Sequence, residues 1–302
     1  MKNFKRETGG RTLVTVCGLF LIVLTLVIGV FLIVRGSGTF IQFHHSLTEF
    51  LFSTDFNPTD TEGVSGGTVG SAIFLLGTLE TCGLALLIAV PFSIASAIFI
   101  TEISPESGEK IFQPAIEIFV GIPSVVYGWL GMTTLIPFIR TAFNAPDSGY
   151  SVLAAGIVLS IMIFPTITTV SADAIRSVPQ SYRAASYGLG STRWQMIWHV
   201  VLPAALPGML TGVILGLTRA FGEALAVSMV LGNAGKAATG ILSSTASLTT
   251  KIAAQMGDTA AGGEYNMALW TMGLVLFIMS IISILLIHLI SYRSKKKSGV
   301  TD

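Results

Sequence analysis

Apolar positions in this chain gather into long runs rather than into the short alternations of half-buried elements. A helix crossing the hydrocarbon core of a bilayer needs about 20 mostly apolar residues. Six stretches meet that length: 12–34, 70–100, 111–139, 151–171, 208–232 and 268–291. The pattern predicts an all-α integral membrane protein with six spanning helices. The second and third runs are long enough to tilt, kink or protrude. The first exceeds the apolar run of a secretory signal, and no small-x-small cleavage pattern separates Val34 from Arg35, so it reads as a retained span.

The polar intervals set the topology. Lys2, Lys5, Arg6, Arg11, Lys110, Arg176, Arg183, Arg193, Arg293, Lys295, Lys296 and Lys297 fall on one side of the six spans. Only Arg35, Arg140, Lys236 and Lys251 fall on the other. Basic residues concentrate on the cytoplasmic side, so both termini and the interval 176–207 are expected there, in the plasma membrane of a bacterium. The external interval 35–69 is rich in Gly, Ser and Thr and carries Asp55, Asp60 and Glu62. Within 233–267, the stretch 241–256 is expected as a short helix on the membrane surface. Neither interval has the apolar content of an independent domain, so residues 1–302 read as one transmembrane domain with 176–207 as a cytoplasmic loop within it.

Composition agrees. Hydrophobic residues make up 52% of the chain and charged ones 11%, with a net charge of +1. Soluble domains carry roughly 25% charged residues, and a near-neutral chain has no field to attract nucleic acid. Cys17 and Cys82 lie inside apolar runs and read as small core residues, and His44-His45 has no third ligand at metal spacing. No metal or cofactor is expected. There is no G-x-x-x-x-G-K-[ST] phosphate loop, so any ATP hydrolysis must come from another chain.

Pro91, Gly121-Ile122-Pro123 and Phe164-Pro165-Thr166 interrupt the second, third and fourth runs. Such breaks suit either ordinary kinks in a bundle or helices bending round a water-filled path. Ser124, Thr166, Thr168 and Thr169 beside the breaks add weight to the second reading.

The fifth run carries the most unusual chemistry. Gly208, Gly212, Gly216, Ala220 and Ala224 recur every fourth residue and leave one helix face nearly bare, a seam for close helix packing. Arg219 and Glu223 stand four residues apart within it, so on a continuous helix their side chains can meet. An arginine at mid-bilayer costs about 2.5–3.5 kcal/mol on insertion scales. That leaves two readings: an internal salt bridge fixing helix packing, or an anion-handling site whose arginine rests on its own carboxylate when empty. The guanidinium fork matches phosphate or carboxylate oxygens. At ~1.5 Å per residue, Glu80 in the second run lies at a depth similar to that of Glu223, on the order of 15 Å from the external ends of their spans, and joins the candidates.

The loop 176–207 reads as two amphipathic pieces meeting at Gly190, capped by Ser191 or Thr192 and closed by Leu202-Pro203. Trp194, Ile197, Trp198 and Val201 form an apolar stripe on its second piece. The tryptophans suit interfacial anchoring or insertion into a partner's groove.

Here the chain resembles the membrane subunits of ABC importers, which carry an E-A-A-x3-G-x9-I-x-L-P signature in a cytoplasmic loop. Gly190, Val200 in the isoleucine position, Leu202 and Pro203 match. The E-A-A triplet falls on Ala184, Ala185 and Ser186, so the signature glutamate is absent. Gly121 to Gly128, Ser181 to Trp194 and Arg219 to Asn233 are similar to the phosphate (Pst) importer permeases, the last run being nearer the PstC type than the PstA type. The resemblance implies a type I importer permease fold and a coupling helix in the loop, with Ala184, Ala185, Gly190, Arg193, Trp194, Leu202 and Pro203 at the contact with an ATPase. It implies Arg219 and Glu223 as a charged pair tied to phosphate passage. It also implies a second related permease, two ATP-binding subunits and an extracytoplasmic phosphate-binding protein as partners. A permease for another oxyanion such as molybdate or sulfate, an ATPase-independent channel and an intramembrane enzyme are the alternatives.

Overall fold

The computed structural model describes residues 2–60 and 66–297; Glu62 of the external loop lies outside them. The long apolar runs become helices because a backbone in hydrocarbon has to satisfy its own hydrogen bonds. They are α1 (Lys2–Gly36), α2 (Ala72–Ile98), α3 (Gln113–Gly121), α4 (Ser124–Leu130), α5 (Val152–Arg176), α6 (Gln180–Gly188), α7 (Leu202–Gly222), α8 (Leu225–Leu231), α9 (Leu248–Gln255) and α10 (Glu264–Lys297). Among the described residues, five helices are long and apolar enough to cross a membrane. A bent pair, Pro105–Gly121 with Ser124–Phe143, whose arms meet at 92°, brings the number to six when it is counted as one broken span. The all-α membrane fold is borne out, with five of the expected spans as long helices and the third as this bent pair.

The corner of that third span follows from Pro123, which forces Ile122 into an extended conformation (ψ 126°) and ends α3. Tyr127 on α4 then donates its hydroxyl to the Phe119 carbonyl at 2.8 Å, joining the arms on the inside of the bend.

The bundle is organised around α5, which packs along α2 and α7. The seam with α7 is the small-residue face read from sequence. A Cβ on Gly208 would stand 2.6 Å from the Ala174 side chain, and one on Gly216 2.7 Å from Ile167. Leu159, Ile163, Ile167, Leu217 and Phe221 fill the centre of the core. At the end of the bundle that carries the loop 176–207, Ile175, Met196, Ile197 and Val201 form a second cluster, and at the opposite end Phe50, Phe74, Leu248 and Leu269 form a third. The first span stands apart. It touches α10 through Gly29 against Phe277 and an edge-to-face pair of Phe31 and Trp270, and exposes most of its other side chains.

Three expectations are corrected. The fifth helix does not begin at 208 with Leu202-Pro203 closing the loop before it. Arg193–Met196, a π-turn at Ile197–Val201 and α7 run on without interruption to Gly222. Pro203 therefore lies inside a continuous helix, directly after the wider π-turn in which Leu202 donates to the Ile197 carbonyl. That helix then ends at Gly222 rather than 232, because Glu223 is extended (ψ 114°) and α8 starts afresh. Finally, the short helix expected within 241–256 forms at Leu248–Gln255, but the residues leading into it are not on the surface. Ser243 to Leu248 are buried, and the segment dips between α2 and α8 before α9 begins. Gly77 makes room for it, since a Cβ there would stand 2.3 Å from the Ala246 carbonyl.

Candidate functional site

The α5–α7 seam decides what faces Arg219. With Gly212 against Val170 and Gly216 against Ile167, the next turn of α7 meets the proline-kinked turn of α5. Arg219, half-buried, donates from Nη1 to the Thr166 hydroxyl at 3.3 Å. Tyr127 on α4 belongs to the same core cluster as Ile163 of α5 and Ala220, the residue after Arg219. Elements from the third, fourth and fifth spans therefore converge on this one cation.

Glu223 does not pair with it. Among the described residues no ion pair joins Arg219 to Glu223, which overturns the expectation of an i,i+4 contact. Such a pair needs four residues on one continuous helix, and this helix ends between them. The Glu223 carboxylate instead accepts from the Ala226 amide at 3.0 Å, capping α8. Its carbonyl accepts from the Thr249 hydroxyl at 3.1 Å.

The start of α9 links this break to α2 at Thr78, not to Glu80. Leu248 donates its amide to the Thr78 hydroxyl at 3.0 Å, and its neighbour Thr249 holds Glu223. Glu80, two residues beyond Thr78 and exposed on α2, has no hydrogen-bond or ion-pair partner among the described residues. The region thus holds a cation with most of its donors uncommitted and a carboxylate turned onto a helix end.

Sequence reasoning noted Thr166 only as a polar residue beside a break, and gave Tyr127 and Thr249 no role. Hydroxyls next to Pro165 and Pro123 were the available signal; Thr249 had none, because its importance comes from a fold-back across the bundle.

At the other end of the bundle the hairpin 176–207 is built as its sequence suggests. Gly190 takes φ +80°, and Thr192 caps the second arm in a capping box with Gln195. Ser186 and Ser191 join their hydroxyls at 2.6 Å across the turn. Ala184, Ala185 and Leu189 are exposed on the first arm. Trp194 and Trp198 meet edge to face at 6.2 Å and wall an apolar groove of 730 Å³ with Pro91, Ile98, Leu202 and Pro203. Arg193 donates to the Ile103 carbonyl at 3.0 Å. Arg183 pairs with Glu102 at 2.7 Å, a partner that sequence reasoning missed.

Residues 89–296 match the family model described as the inner membrane component of binding-protein-dependent transport systems. The chain belongs to this family. As such an inner membrane component it is a transporter subunit set in a membrane, and not an enzyme. It is 48% identical over 289 residues to the probable ABC transporter permease protein YqgH of Bacillus subtilis, covering 96% of this chain and 92% of that one. It is 34% identical over 268 residues to the phosphate transport system permease protein PstC of Pasteurella multocida, covering 83% and 81%. Among solved structures, the inward-facing MetNI methionine ABC transporter matches with TM-score 0.55 and 20% identity over 74% of this chain and 96% of that one. A bacterial alginate ABC transporter, solved with a pentasaccharide-bound periplasmic protein, matches with TM-score 0.58 and 18% identity over 94% and 95%. At such identities the likeness shows the fold, that of an ABC importer permease.

Proposed function

We propose that this chain is a permease subunit of an ATP-driven phosphate importer. Relatives named for phosphate transport cover most of its length at 31–34% identity, and the carrying observation within the chain is Arg219. Its fork lies half-buried where three spans meet, held by one hydroxyl and unclaimed by a carboxylate. Phosphate entering from an external binding protein would exchange water for that fork, with Glu223 and Glu80 setting the local field.

In this reading the chain pairs with a second related permease and two ATP-binding subunits. Both termini and the loop 176–207 are cytoplasmic, as the placement of Lys and Arg supports. Ala184, Ala185, Gly190, Arg193, Trp194, Leu202 and Pro203 belong to the region that meets or positions the ATPase. The exposed first arm supplies the contact, and the second arm passes its movement directly into α7.

The test is radiolabelled phosphate uptake in cells for which this complex is the sole phosphate route. Arg219→Ala is expected to abolish uptake while the complex still assembles and hydrolyses ATP, and Glu223→Ala to reduce it. Normal transport by both variants would sink the proposed path. Competition by sulfate or molybdate at phosphate-like concentrations would reassign the substrate to another oxyanion.

A further inference from the structure

The cytoplasmic loop 176–207 contains no Asp or Glu, and Ala184 stands where the importer signature has its glutamate. Its arginines therefore have to find a carboxylate elsewhere. Arg183 finds it on the second span. Its Nε and Nη2 both donate to Oε1 of Glu102, at 3.2 and 2.7 Å. The same guanidinium donates to the carbonyls of Ile175, at 2.9 Å, and of Val178. The pair is enclosed, with 12% of the Arg183 side chain and 8% of that of Glu102 exposed.

One side chain thus ties together three elements: α6, the end of α5 and the π-turn Phe99–Ile103 that continues α2. The Ile175 carbonyl belongs to the last helical turn of α5, where carbonyls lack intrahelical partners and attract a cation. From the other arm of the hairpin, Arg193 reaches the same π-turn at Ile103.

The chain path makes this bond consequential. The fourth span runs directly into α6, and the second arm runs directly into α7. The second span has no such covalent continuity with the hairpin. Its Ala97 and Ile98 share an apolar cluster with Met196, Ile197 and Val201, which lets surfaces slide. Among the described residues, the Glu102 carboxylate and the Ile103 carbonyl supply its directional bonds to the hairpin. We propose that Arg183 and Glu102 are positioning residues that make the second span move with the hairpin, carrying Glu80 along when the ATPase displaces α6. This rests on the importer reading above. The guanidinium suits the task because its rigid fork holds both direction and distance, which a lysine does not.

The experiment uses the complete complex in proteoliposomes and reads phosphate moved per ATP hydrolysed. Glu102→Gln and Arg183→Met are expected to lower that ratio by about tenfold or more while ATP hydrolysis persists. Arg183→Lys, which keeps the charge but not the fork, is expected to recover only part of it. A second readout is independent of substrate: the distance between spin labels placed by Leu87→Cys on α2 and Ser181→Cys on α6, in a background without Cys17 and Cys82. In the parent complex nucleotide leaves this distance unchanged, and in the single variants nucleotide changes it. Wild-type ratios together with an unchanged distance in the single variants would overturn the proposal, as would parallel loss of assembly, uptake and hydrolysis in all three variants. A parent complex that moves no phosphate yet keeps the label distances as expected would overturn the phosphate reading and leave the clamp standing.

Discussion

At Arg219 a single hydroxyl does the orienting. Thr166 accepts one donor of the guanidinium, and Glu223, which might have taken it, caps α8 instead. A hydrogen bond to a charged group contributes about 1.5–3 kcal/mol, so Thr166→Val, which keeps the shape and removes the oxygen, should raise the KM for uptake about tenfold or more. Thr166→Ser should restore it. Equal KM values for Val and parent would show that the guanidinium is held by something else. Another single-residue effect belongs to Gly190, whose φ of +80° places it where a Cβ costs roughly 1–2 kcal/mol. Nothing stands within 4 Å of a Cβ there, so Gly190→Ala tests backbone conformation alone. It should lower uptake more than it lowers the melting temperature of the detergent-solubilised complex; an unchanged uptake would mean that the turn tolerates the strain.

Among elements, the buried segment before α9 is the least expected and the most easily tested. Its backbone is threaded against α2, and Gly77 is the residue that admits it, facing the Ala246 carbonyl. Gly77→Ala should therefore destabilise the protein by about 1–3 kcal/mol, as overpacking does. Gly83→Ala on the same helix meets open space and should be close to neutral. Thermal melting followed by fluorescence would distinguish the two; equal melting points would mean that the segment shifts without cost. The first residues of α9 then join Thr78 on α2 to Glu223 at the break in the fifth span.

For the whole molecule, orientation is the testable property. Alkaline-phosphatase fusions should be active when joined after Asn57 and inactive after Gly188, and the reverse result would invert the topology. Much of this architecture was legible in the chain. The six apolar runs, the bend at Pro123, the small-residue face of α7 and the turn at Gly190 each follow from local rules: transfer into hydrocarbon, the constraint on a residue before proline, close packing and positive φ. Those rules need only neighbouring residues. The passage of the helix through Leu202-Pro203, the burial of Ser243 to Leu248, the release of Glu223 from Arg219 and the pairing of Arg183 with Glu102 were not legible. Each depends on which distant groups come within a few ångströms, and a polar atom in a membrane takes whichever partner the packed bundle brings closest. The sequence alone thus determined that the chain is a helical membrane protein with six apolar runs and an arginine inside the fifth. The tertiary structure decided what that arginine touches, because hydrocarbon fixes the spans one at a time while hydrogen bonds are chosen between them.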